Sequence, residues 1–573
     1  MQAAPPPESR PGAIAPGLDA VFQGLLAQVT NLRHQTGLGG IIAREMDPRE
    51  RARRRLAAEI GAVRKERGGR LRIALCYANT YHVGMSNLGL QTLYGLLNDR
   101  RDVVCERAFH PDPEDLRDLQ RRRLPLTSME TQTPLGEFDV IAFSISFELD
   151  LLKAARMLAL SGIPARAAQR DAHHPLVIAG GAAPTINPEP LAAIADAIAI
   201  GEGEMMLAPL VEALKAGNKQ AALRQLSAVP GAYVPSYYEA RYDDGVQALL
   251  AGNAPGQIPR AVAPDLDAWP THSRVLTDET EFGHMFLVEI SRGCGRGCSF
   301  CAADRIYRPV RLRSRQALLE TARAGLKVRE MVGLIAAAVS DYPHVDELCQ
   351  GILAEGGRVA VASLRADSAT PELVDALAAS KVQTITLAPE AATERLRRAV
   401  HKFIPDEDYL RTARLAAERG IRRLRLYFIV GLPTETEDDV QAIPSFVRAL
   451  RKESGMGRVT VSAGPFVPKP HTPLERAPML PVAEARRRMG IIRRGLAGEP
   501  WAEISLESAN EAFIQAVLSR GDRRVGEVAC RVAETRGGFG DWLAAFREEG
   551  LDPEGFALRE RPHDEPLPWG HVG

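Results

Sequence analysis

The sequence has little net charge, few cysteines and no long hydrophobic run. Its 573 residues hold 72 Lys and Arg against 72 Asp and Glu, and this balance argues against a broad basic face for nucleic acid. No stretch approaches the roughly 18 uninterrupted apolar residues that a membrane-spanning helix needs. The Pro- and Ala-rich N-terminus lacks the parts of a secretory signal. These absences predict a cytoplasmic chain of several domains with no membrane contact.

Cysteine is scarce but unevenly placed. The seven cysteines are too few for a disulfide framework, yet Cys294, Cys298 and Cys301 fall within eight residues. Interleaved glycines allow this loop to fold tightly around an inorganic centre. Three thiolates suit three irons of a 4Fe-4S cluster, whose fourth iron then lacks a protein ligand. Structural zinc normally takes four ligands, and no fourth Cys or His lies at suitable spacing, so the loop favours an iron–sulfur cluster.

The order of apolar segments predicts an α/β chain in several parts. Residues 1–66 are expected to form a disordered tail followed by a helical segment. Residues 67–216 alternate strand and helix patterns, which predicts a parallel sheet with ligands beyond the carboxyl ends of its strands. Residues 217–283 look like a hairpin and linker. Residues 284–480 repeat the alternation as a partial or complete parallel barrel, and residues 481–573 look helical.

The cysteine loop resembles that of the radical S-adenosylmethionine (SAM) superfamily. More specifically, the chain resembles an uncharacterised radical SAM family with an N-terminal cobalamin-binding-like domain. This implies a Rossmann-like domain, then a radical SAM partial (β/α) barrel and a helical C-terminal region. It also implies an enzyme in which Cys294, Cys298 and Cys301 hold the cluster, and reduction cleaves SAM to a 5′-deoxyadenosyl radical. The stretches that carry the wider resemblance are residues 76–87, 306–311, 363–368, 388–391, 431–436 and 468–473.

The resemblance also implies a set of SAM contacts. The superfamily's Gly-Gly-Glu-like stretch after the second barrel strand is absent, and Ser340 and Asp341 are candidate substitutes there, with a solvated turn as the alternative. Two further candidates, Ser363 and Arg365, end the next strand, where ribose and carboxylate contacts are typical. The remaining candidates are an aromatic ring before the last cysteine, a strand-end carboxylate that also suits a helix N-terminus, and a glycine that also suits a simple turn: Phe300, Glu390 and Gly431.

The N-terminal domain resembles base-off cobalamin-binding folds, which often carry Asp-x-His-x-x-Gly after their first strand. Residues 79–84 occupy that place, with Asn79 in place of Asp and Tyr81 in place of the cobalt-ligating His. Serines after the third strand and paired glycines after the fourth resemble later elements of the pattern. A Rossmann-like scaffold without the cofactor is the alternative. The implied cobalamin-binding residues are Asn79, Tyr81, Gly84, Ser144, Ser146, Gly180 and Gly181.

The sequence leaves more than one function and more than one kind of substrate open. The leading hypothesis is a cobalamin-dependent radical SAM enzyme that transfers a methyl group or otherwise modifies an unknown substrate, with flavodoxin or ferredoxin as electron donor. Radical chemistry with a cofactor-free N-terminal domain, or a non-catalytic SAM- or redox-sensing protein, are the alternatives. Thiolation with a second cluster is disfavoured because the other four cysteines form no second triplet. RNA or a phosphorylated small molecule stays open as substrate, since Arg305, Arg308, Arg311 and Arg313 could form an anion pocket, with a solvated basic loop as the alternative.

Overall fold

The computed structural model describes residues 47–243, 246–251 and 254–573. The expected disordered tail, and the part of the helical segment before residue 47, lie outside these residues. The described chain begins with helix α1 (Pro48–Ala58), for which the Asp47 side chain accepts the Arg49 N–H as an N-terminal cap. No helix among the described residues has the length and apolarity needed to cross a membrane.

The first domain is built on a sheet of six strands in the order β2-β1-β3-β4-β5-β6. The first five are parallel and β6 is an antiparallel edge. The strand order reverses between β1 and β3, and such a switch point opens a crevice in which ligands bind. Because β6 lies beyond residue 216, the sheet extends into the segment expected as linker. The strands are β1 (Leu71–Tyr77), β2 (Val103–Phe109), β3 (Val140–Ser144), β4 (Leu176–Gly180), β5 (Ala197–Ala199) and β6 (Ala232–Tyr233).

Helices cover both faces of this sheet, and a short hairpin follows it. Of the helices, α3 and α8 lie close together on one face, whereas α5 packs with the C-terminal part of the chain on the other. The helices are α2 (Tyr81–Met85), α3 (Leu88–Asp99), α4 (Pro113–Arg122), α5 (Asp150–Leu160), α6 (Ala182–Ile186), α7 (Glu189–Ala192), α8 (Gly203–Leu214) and α9 (Lys219–Leu226), and the hairpin is β7 (Tyr238–Asp243) and β8 (Val246–Ala251).

The second domain is an open parallel barrel. Its strands form two sheets in the orders β13-β12-β9 and β14-β15-β16-β17. A parallel bridge between Leu364 and Leu387 joins the two sheets. A short antiparallel pair, β10 with β11, flanks the cysteine loop. The strands are β9 (Met285–Glu289), β10 (Ser291–Arg292), β11 (Arg311–Leu312), β12 (Met331–Ile335), β13 (Arg358–Val361), β14 (Thr384–Glu390), β15 (Arg423–Val430), β16 (Arg458–Pro465) and β17 (Ala502–Leu506).

The barrel helices pack outside its strands. Apolar residues from the outer face of each sheet and from these helices form one continuous core. These helices are α11 (Arg315–Gly325), α12 (Val345–Ala354), α13 (Pro371–Ala379), α14 (Glu394–Ala399), α15 (Asp406–Glu418), α16 (Glu437–Ser454) and α17 (Val482–Gly495). The short helix α10 (Ala303–Ile306) instead follows the cysteine loop and contacts α6 of the first domain.

The C-terminal region is not purely helical, contrary to the expectation. Strand β17 pairs in parallel with β16 and is the last strand of the barrel. Its residues are only half-buried or exposed, so the sequence lacks the apolar run by which the other strands are recognised. The helices after it share a hydrophobic core with the N-terminal sheet, and therefore complete the first domain. They are α18 (Ala509–Arg520), α19 (Arg523–Ala533), α20 (Phe539–Glu548) and α21 (Pro553–Ala557).

His272 makes the fold sensitive to acid. Its ring is 2% exposed and stacks on Phe286 with 5.4 Å between centroids. Burial, assisted by the charges of Arg274 and Arg313, lowers the pKa of His272 from 6.5 to about 4. The unfolded chain therefore takes up this proton first. We expect stability to be full above about pH 6.5 and to fall between there and about pH 4, by up to about 3 kcal/mol.

Urea unfolding at about pH 7.5 and about pH 5 measures this loss of stability. We expect the His272→Leu variant to lose less stability than the natural protein over the same interval. An equal loss in both proteins would show that His272 is not a source of the acid sensitivity.

Candidate functional site

The three clustered cysteines lie on a loop between β10 and α10. Cys298 is buried, and Cys294 and Cys301 are half-buried. The backbone φ of Gly293 is 91°, and a Cβ added there would lie 2.4 Å from the Tyr307 carbonyl oxygen. Gly297 has φ 72°. The left-handed backbone and the close approach explain why this loop needs glycine at both positions.

The surroundings of the loop oppose the cost of burying thiolates. Burial raises the pKa of Cys301, whereas the backbone N–H groups of Asp304 and Ala303 lower it. Burial likewise raises the pKa of Cys298, and the charges of Lys402 and Arg365 act in the opposite direction. Amide donors beside one thiol and cations beside another suit a negatively charged iron–sulfur cluster, so the donor set fits such a cluster.

The fit of the cysteine loop to an iron–sulfur cluster depends on the thiols and on the groups around them. In the described part of the chain, no group of three or more His, Cys, Asp or Glu side chains is spaced to hold a single metal ion. The assignment of the cysteine loop to a cluster therefore rests on its three thiols, its glycine-dependent backbone and the donors around it.

Three of the candidate SAM residues lie together beside this loop. The Ser340 hydroxyl oxygen accepts the backbone N–H of Arg365 at 3.1 Å. The Asp341 carboxylate accepts hydrogen bonds from the Arg296 guanidinium of the cysteine loop, at 2.8 and 2.6 Å. The Arg365 guanidinium is held by Asp367, with a nearest distance of 2.9 Å. All three side chains thus have hydrogen-bond partners within the protein. A contact with SAM would either share these partners or replace them.

The other SAM candidates lie in the cysteine loop itself or follow strands at the same side of the barrel. Glu390 has φ 65°, an uncommon backbone conformation for a residue with a side chain, and its carboxylate accepts a hydrogen bond from Lys402 at 2.9 Å. Gly431 has φ 92°, and an added Cβ would lie 2.7 Å from Leu480, which supports the simple-turn alternative. Phe300 packs against a small core at this end. Ser363 is half-buried, two residues after β13.

A cavity of about 580 Å³ lies between the two domains. Its deep part runs between α3 and α8, over the strands of the first sheet, and is lined by leucines. Its other end reaches the barrel at both sides of the cysteine loop. One compartment therefore connects the switch point of the first sheet with the candidate cluster site. Its walls include Leu88, Leu93, Leu97, Leu207, Leu210 and Leu214 in the deep part, and Arg292, Gly293, Ala303, Ile306, Tyr307 and Ala336 at the barrel.

Polar groups and glycines are placed at intervals along this apolar cavity. Ser144, Ser146, Gly180 and Gly181 line it. Gly181 has φ 121°, and an added Cβ would lie 2.5 Å from the Ile145 carbonyl oxygen. The Thr92 hydroxyl, on a side chain that is 3% exposed, has no hydrogen-bond partner among the described residues. A large apolar cavity with a few hydroxyl groups and one unpartnered buried hydroxyl fits a large amphipathic cofactor.

Two family models match the chain. One is described as radical SAM proteins, N-terminal, and covers residues 89–235; the other is described as radical SAM superfamily and covers residues 288–447. Residues 288–447 are a radical SAM superfamily domain. The predicted superfamily and the α/β fold are thereby confirmed, and this radical SAM domain implies an enzyme that uses a 4Fe-4S cluster and SAM.

The relatives of this radical SAM protein match it over very different lengths. An uncharacterized protein of Methanocaldococcus jannaschii is 28% identical over 79% of this chain and 90% of its own. The ribosomal protein uS12 methylthiotransferase RimO of Heliobacterium modesticaldum is 29% identical over 34% of this chain and 48% of its own. The structure of the methyltransferase TsrM from Kitasatospora setae, with cobalamin and a [4Fe-4S] cluster bound, has a TM-score of 0.51 at 14% identity. It covers 84% of this chain and 99% of TsrM, so the two share a fold.

Three of the expected cobalamin-binding residues of this radical SAM protein do not line the cavity. Tyr81 is buried in the core, donates its hydroxyl to Glu59 at 2.7 Å and meets Phe109 edge-on. A Cβ on Gly84 would lie 2.5 Å from the Phe109 ring. The Asn79 amide donates to Asp150 at 2.9 Å. The sequence pattern predicts a cofactor-binding segment here, whereas α2 starts at Tyr81 and packs Tyr81 and Gly84 against the sheet.

The four arginines that follow the cysteine loop do not form an open anion pocket. The Arg311 guanidinium contacts both Glu202 oxygens at 2.9 and 2.7 Å, and Arg313 donates to Glu289 at 2.5 Å. Arg308 and Arg305 both lie against Asp304, at 2.7 and 3.4 Å. All four arginines are therefore paired within the protein.

Sequence reasoning missed the ion-pair network that joins the two domains. Arg292, beside the cysteine loop, pairs with Glu289 at 2.9 Å, with Glu204 at 2.7 Å and with Glu202 at 3.1 Å. Glu202 caps the start of α8 and Glu204 lies in its first turn, so both glutamates tie the first domain to the cysteine loop. The sequence carried one signal of this network. Residues 201–204 alternate glycine and glutamate, and several arginines lie around the cysteine loop.

Proposed function

We propose that this radical SAM enzyme holds a corrinoid in the cavity between its domains and uses it for methyl transfer to a substrate. The observation that carries the proposal is the cavity itself, because one compartment touches both the switch point of the first sheet and the cysteine loop. TsrM, which has a similar fold, was solved with cobalamin and a cluster bound, and this supports the same pairing here.

The cavity lining offers distinct places for the parts of a corrinoid. The leucine-lined space between α3 and α8 suits the apolar base of a nucleotide tail. The hydroxyl groups of Thr92, Ser144 and Ser146 are available to polar groups of the tail, and Gly180 and Gly181 let it approach the backbone. Neither Tyr81 nor His82 lines the cavity, so the proposal includes no lower axial ligand from residues 79–84.

The residues around the cysteine loop have separate tasks in this proposal. A cluster, when bound and reduced, supplies the electron that cleaves SAM, and a corrinoid supplies a transferable methyl group. Cys294, Cys298 and Cys301 bind the cluster, and the backbone N–H groups of Asp304 and Ala303 favour the thiolate form of Cys301. The SAM candidates Ser340, Asp341, Ser363, Arg365, Glu390, Gly431 and Phe300 edge the same site.

The interdomain ion pairs close the site. Arg292 and Arg311 hold Glu202 against the cysteine loop, and the buried pairs keep the two walls of the cavity in register. A closed compartment excludes water and competing hydrogen donors from a radical reaction. An external one-electron donor, such as flavodoxin or ferredoxin, completes the proposed reaction.

Methylthio transfer is a weaker candidate. The similarity to RimO favours it, although this covers only 34% of the chain. The four cysteines outside the loop are all buried. They lie in four different elements, namely Cys76 in β1, Cys105 in β2, Cys349 in α12 and Cys530 in α19. They therefore offer no second set of cluster ligands.

Filling the deep part of the cavity tests the corrinoid proposal. Ala142 of β3 lines it, and a Phe side chain there would occupy space that the nucleotide tail needs. We expect Ala142→Phe to lose corrinoid about tenfold or more relative to the natural protein, because overpacking excludes the tail. Iron content should be unchanged, since the cysteine loop is untouched. Absorbance of the anaerobically purified protein and iron analysis measure both.

The matched control is Ala142→Ser, which keeps the side chain small and is expected to retain the corrinoid. Thermal unfolding of both variants checks that the fold is intact. Equal corrinoid in Ala142→Phe and the natural protein would contradict the placement of the tail, and a natural protein without corrinoid would favour the cofactor-free alternative.

A further inference from the structure

The inner face of the second barrel sheet is polar and open. Along β15, Leu424, Leu426 and Phe428 belong to the hydrophobic core shared with the barrel helices. Alternate residues point to the opposite, inner face, and there Arg425 is exposed and Tyr427 is 40% exposed. The interior of a (β/α) barrel is usually filled by branched apolar side chains. Here that interior holds charged and hydroxyl-bearing groups in reach of solvent.

The strand register arranges these groups in two rows. Thr386 of β14 and Thr460 of β16 are the register partners of Arg425. One level nearer the carboxyl ends of the strands, Tyr427 pairs with Ser462. Neighbouring strands lie about 4.8 Å apart, so each row is close enough to contact one small molecule. The lower row offers a guanidinium between two hydroxyls, and the upper row offers an aromatic ring beside a hydroxyl.

Arg425 differs from most arginines near the cysteine loop. Within the described ranges it has no carboxylate partner, whereas Arg292, Arg311 and Arg313 all do. The carboxylate at the same level, Glu503, accepts the Thr460 hydroxyl at 3.1 Å. An exposed guanidinium with its full set of donors free suits a carboxylate or phosphate, which it can bind through two parallel hydrogen bonds.

We infer that the inner face of β14–β16 binds the substrate through an anionic group, a carboxylate or a phosphate, held by Arg425 beside Thr386. The inference rests on the proposed function, because a radical reaction needs its substrate inside the barrel. Tyr427 lies between this anion site and the carboxyl ends of the strands, where the cysteine loop also lies. The apolar part of the substrate therefore packs against Tyr427, and its reacting end is directed toward the cluster.

Calorimetric titration of the anaerobically reconstituted protein with phenyl phosphate and with benzoate tests this inference. At least one of these anions is expected to bind, and benzyl alcohol, which lacks the charge, should bind about tenfold more weakly or not at all. The anion that binds more tightly identifies the kind of anionic group that the substrate carries. Inorganic phosphate should compete with the bound probe, and this measurement on the natural protein requires no variant.

Variants of Arg425 assign the binding to this residue. Arg425→Met is expected to weaken the bound probe about tenfold or more, and Arg425→Lys less, because lysine keeps the charge but loses the fork. The matched control is Arg414→Met, since Arg414 is exposed on the outer side of the barrel in α15. The affinity of the Arg414→Met variant for the probe should equal that of the natural protein. No binding of either anion, or equal affinity in Arg425→Met, would overturn the inference.

The outcomes separate this inference from the proposed function. A protein that holds corrinoid and cleaves SAM, but binds neither anion at Arg425, would overturn the inference alone. Conversely, anion binding that depends on Arg425 in a protein that never takes up corrinoid would support the barrel site and contradict the corrinoid proposal.

Discussion

Replacing Cys298 with Ala is expected to abolish the reductive cleavage of SAM completely. Cys298 is the most buried of the three clustered thiols, 8% exposed, and it lies near the positive charges of Lys402 and Arg365. With three thiolates for three irons, the loss of one leaves an iron without a protein ligand. Iron and sulfide contents after anaerobic reconstitution should fall with it, and 5′-deoxyadenosine should not form when dithionite and SAM are added.

Cys530→Ala is the matched control for this variant. Cys530 is also buried but lies in α19, in the core of the first domain. It should keep its cluster and its SAM cleavage. A Cys298→Ala protein that retained full iron content and formed 5′-deoxyadenosine at the natural rate would contradict the assignment of the cysteine loop.

The second large effect concerns a buried charge cluster in the first domain. The Arg107 guanidinium, 1% exposed, donates to Glu130 at 2.7 Å and to both Glu59 oxygens at 3.0 and 2.5 Å. Both carboxylates are fully buried. Truncating the cation in Arg107→Met leaves them without compensation, so we expect a loss of about 3–5 kcal/mol in the free energy of unfolding. Urea unfolding at neutral pH measures this loss.

An exposed pair provides the comparison for Arg107. Arg315 and Glu347 form a salt bridge of 2.8 Å with both side chains about half exposed, and Arg315→Met should change the free energy of unfolding by less than about 1 kcal/mol. Replacing Glu59, Arg107 and Glu130 together by apolar residues should recover much of the lost stability. If Arg107→Met costs no more than Arg315→Met, the buried cluster does not have the role assigned to it.

Strong apolar runs and close-range motifs were predictable from sequence. The run at Leu71–Tyr77 is a strand in the sheet, since a continuous apolar segment next to a glycine- and polar-rich loop suits a buried parallel strand. The half-exposed β17 could not be found in this way. Spacing alone also failed at Tyr81, because the same six residues fit both a cofactor loop and the start of a helix that packs on the sheet.

Ion pairs between residues that lie far apart in the chain could not be predicted from the sequence either. Arg311 and Glu202 are 109 residues apart in sequence, and no local pattern reveals that the two domains meet there. The arginines near the cysteine loop therefore resembled a free anion site, although they are paired in the structure. The free guanidinium of Arg425 is not predictable from sequence for the converse reason: its isolation on the inner face is visible only once the strand register is known.

The most direct test of the account is a single anaerobic preparation of the full chain with its cluster reconstituted. Its absorbance spectrum reports bound corrinoid, and 5′-deoxyadenosine is then measured after addition of dithionite and SAM. We expect a stoichiometric corrinoid and formation of 5′-deoxyadenosine. A protein with a fully occupied cluster that binds SAM, never cleaves it and takes up no corrinoid would contradict the account.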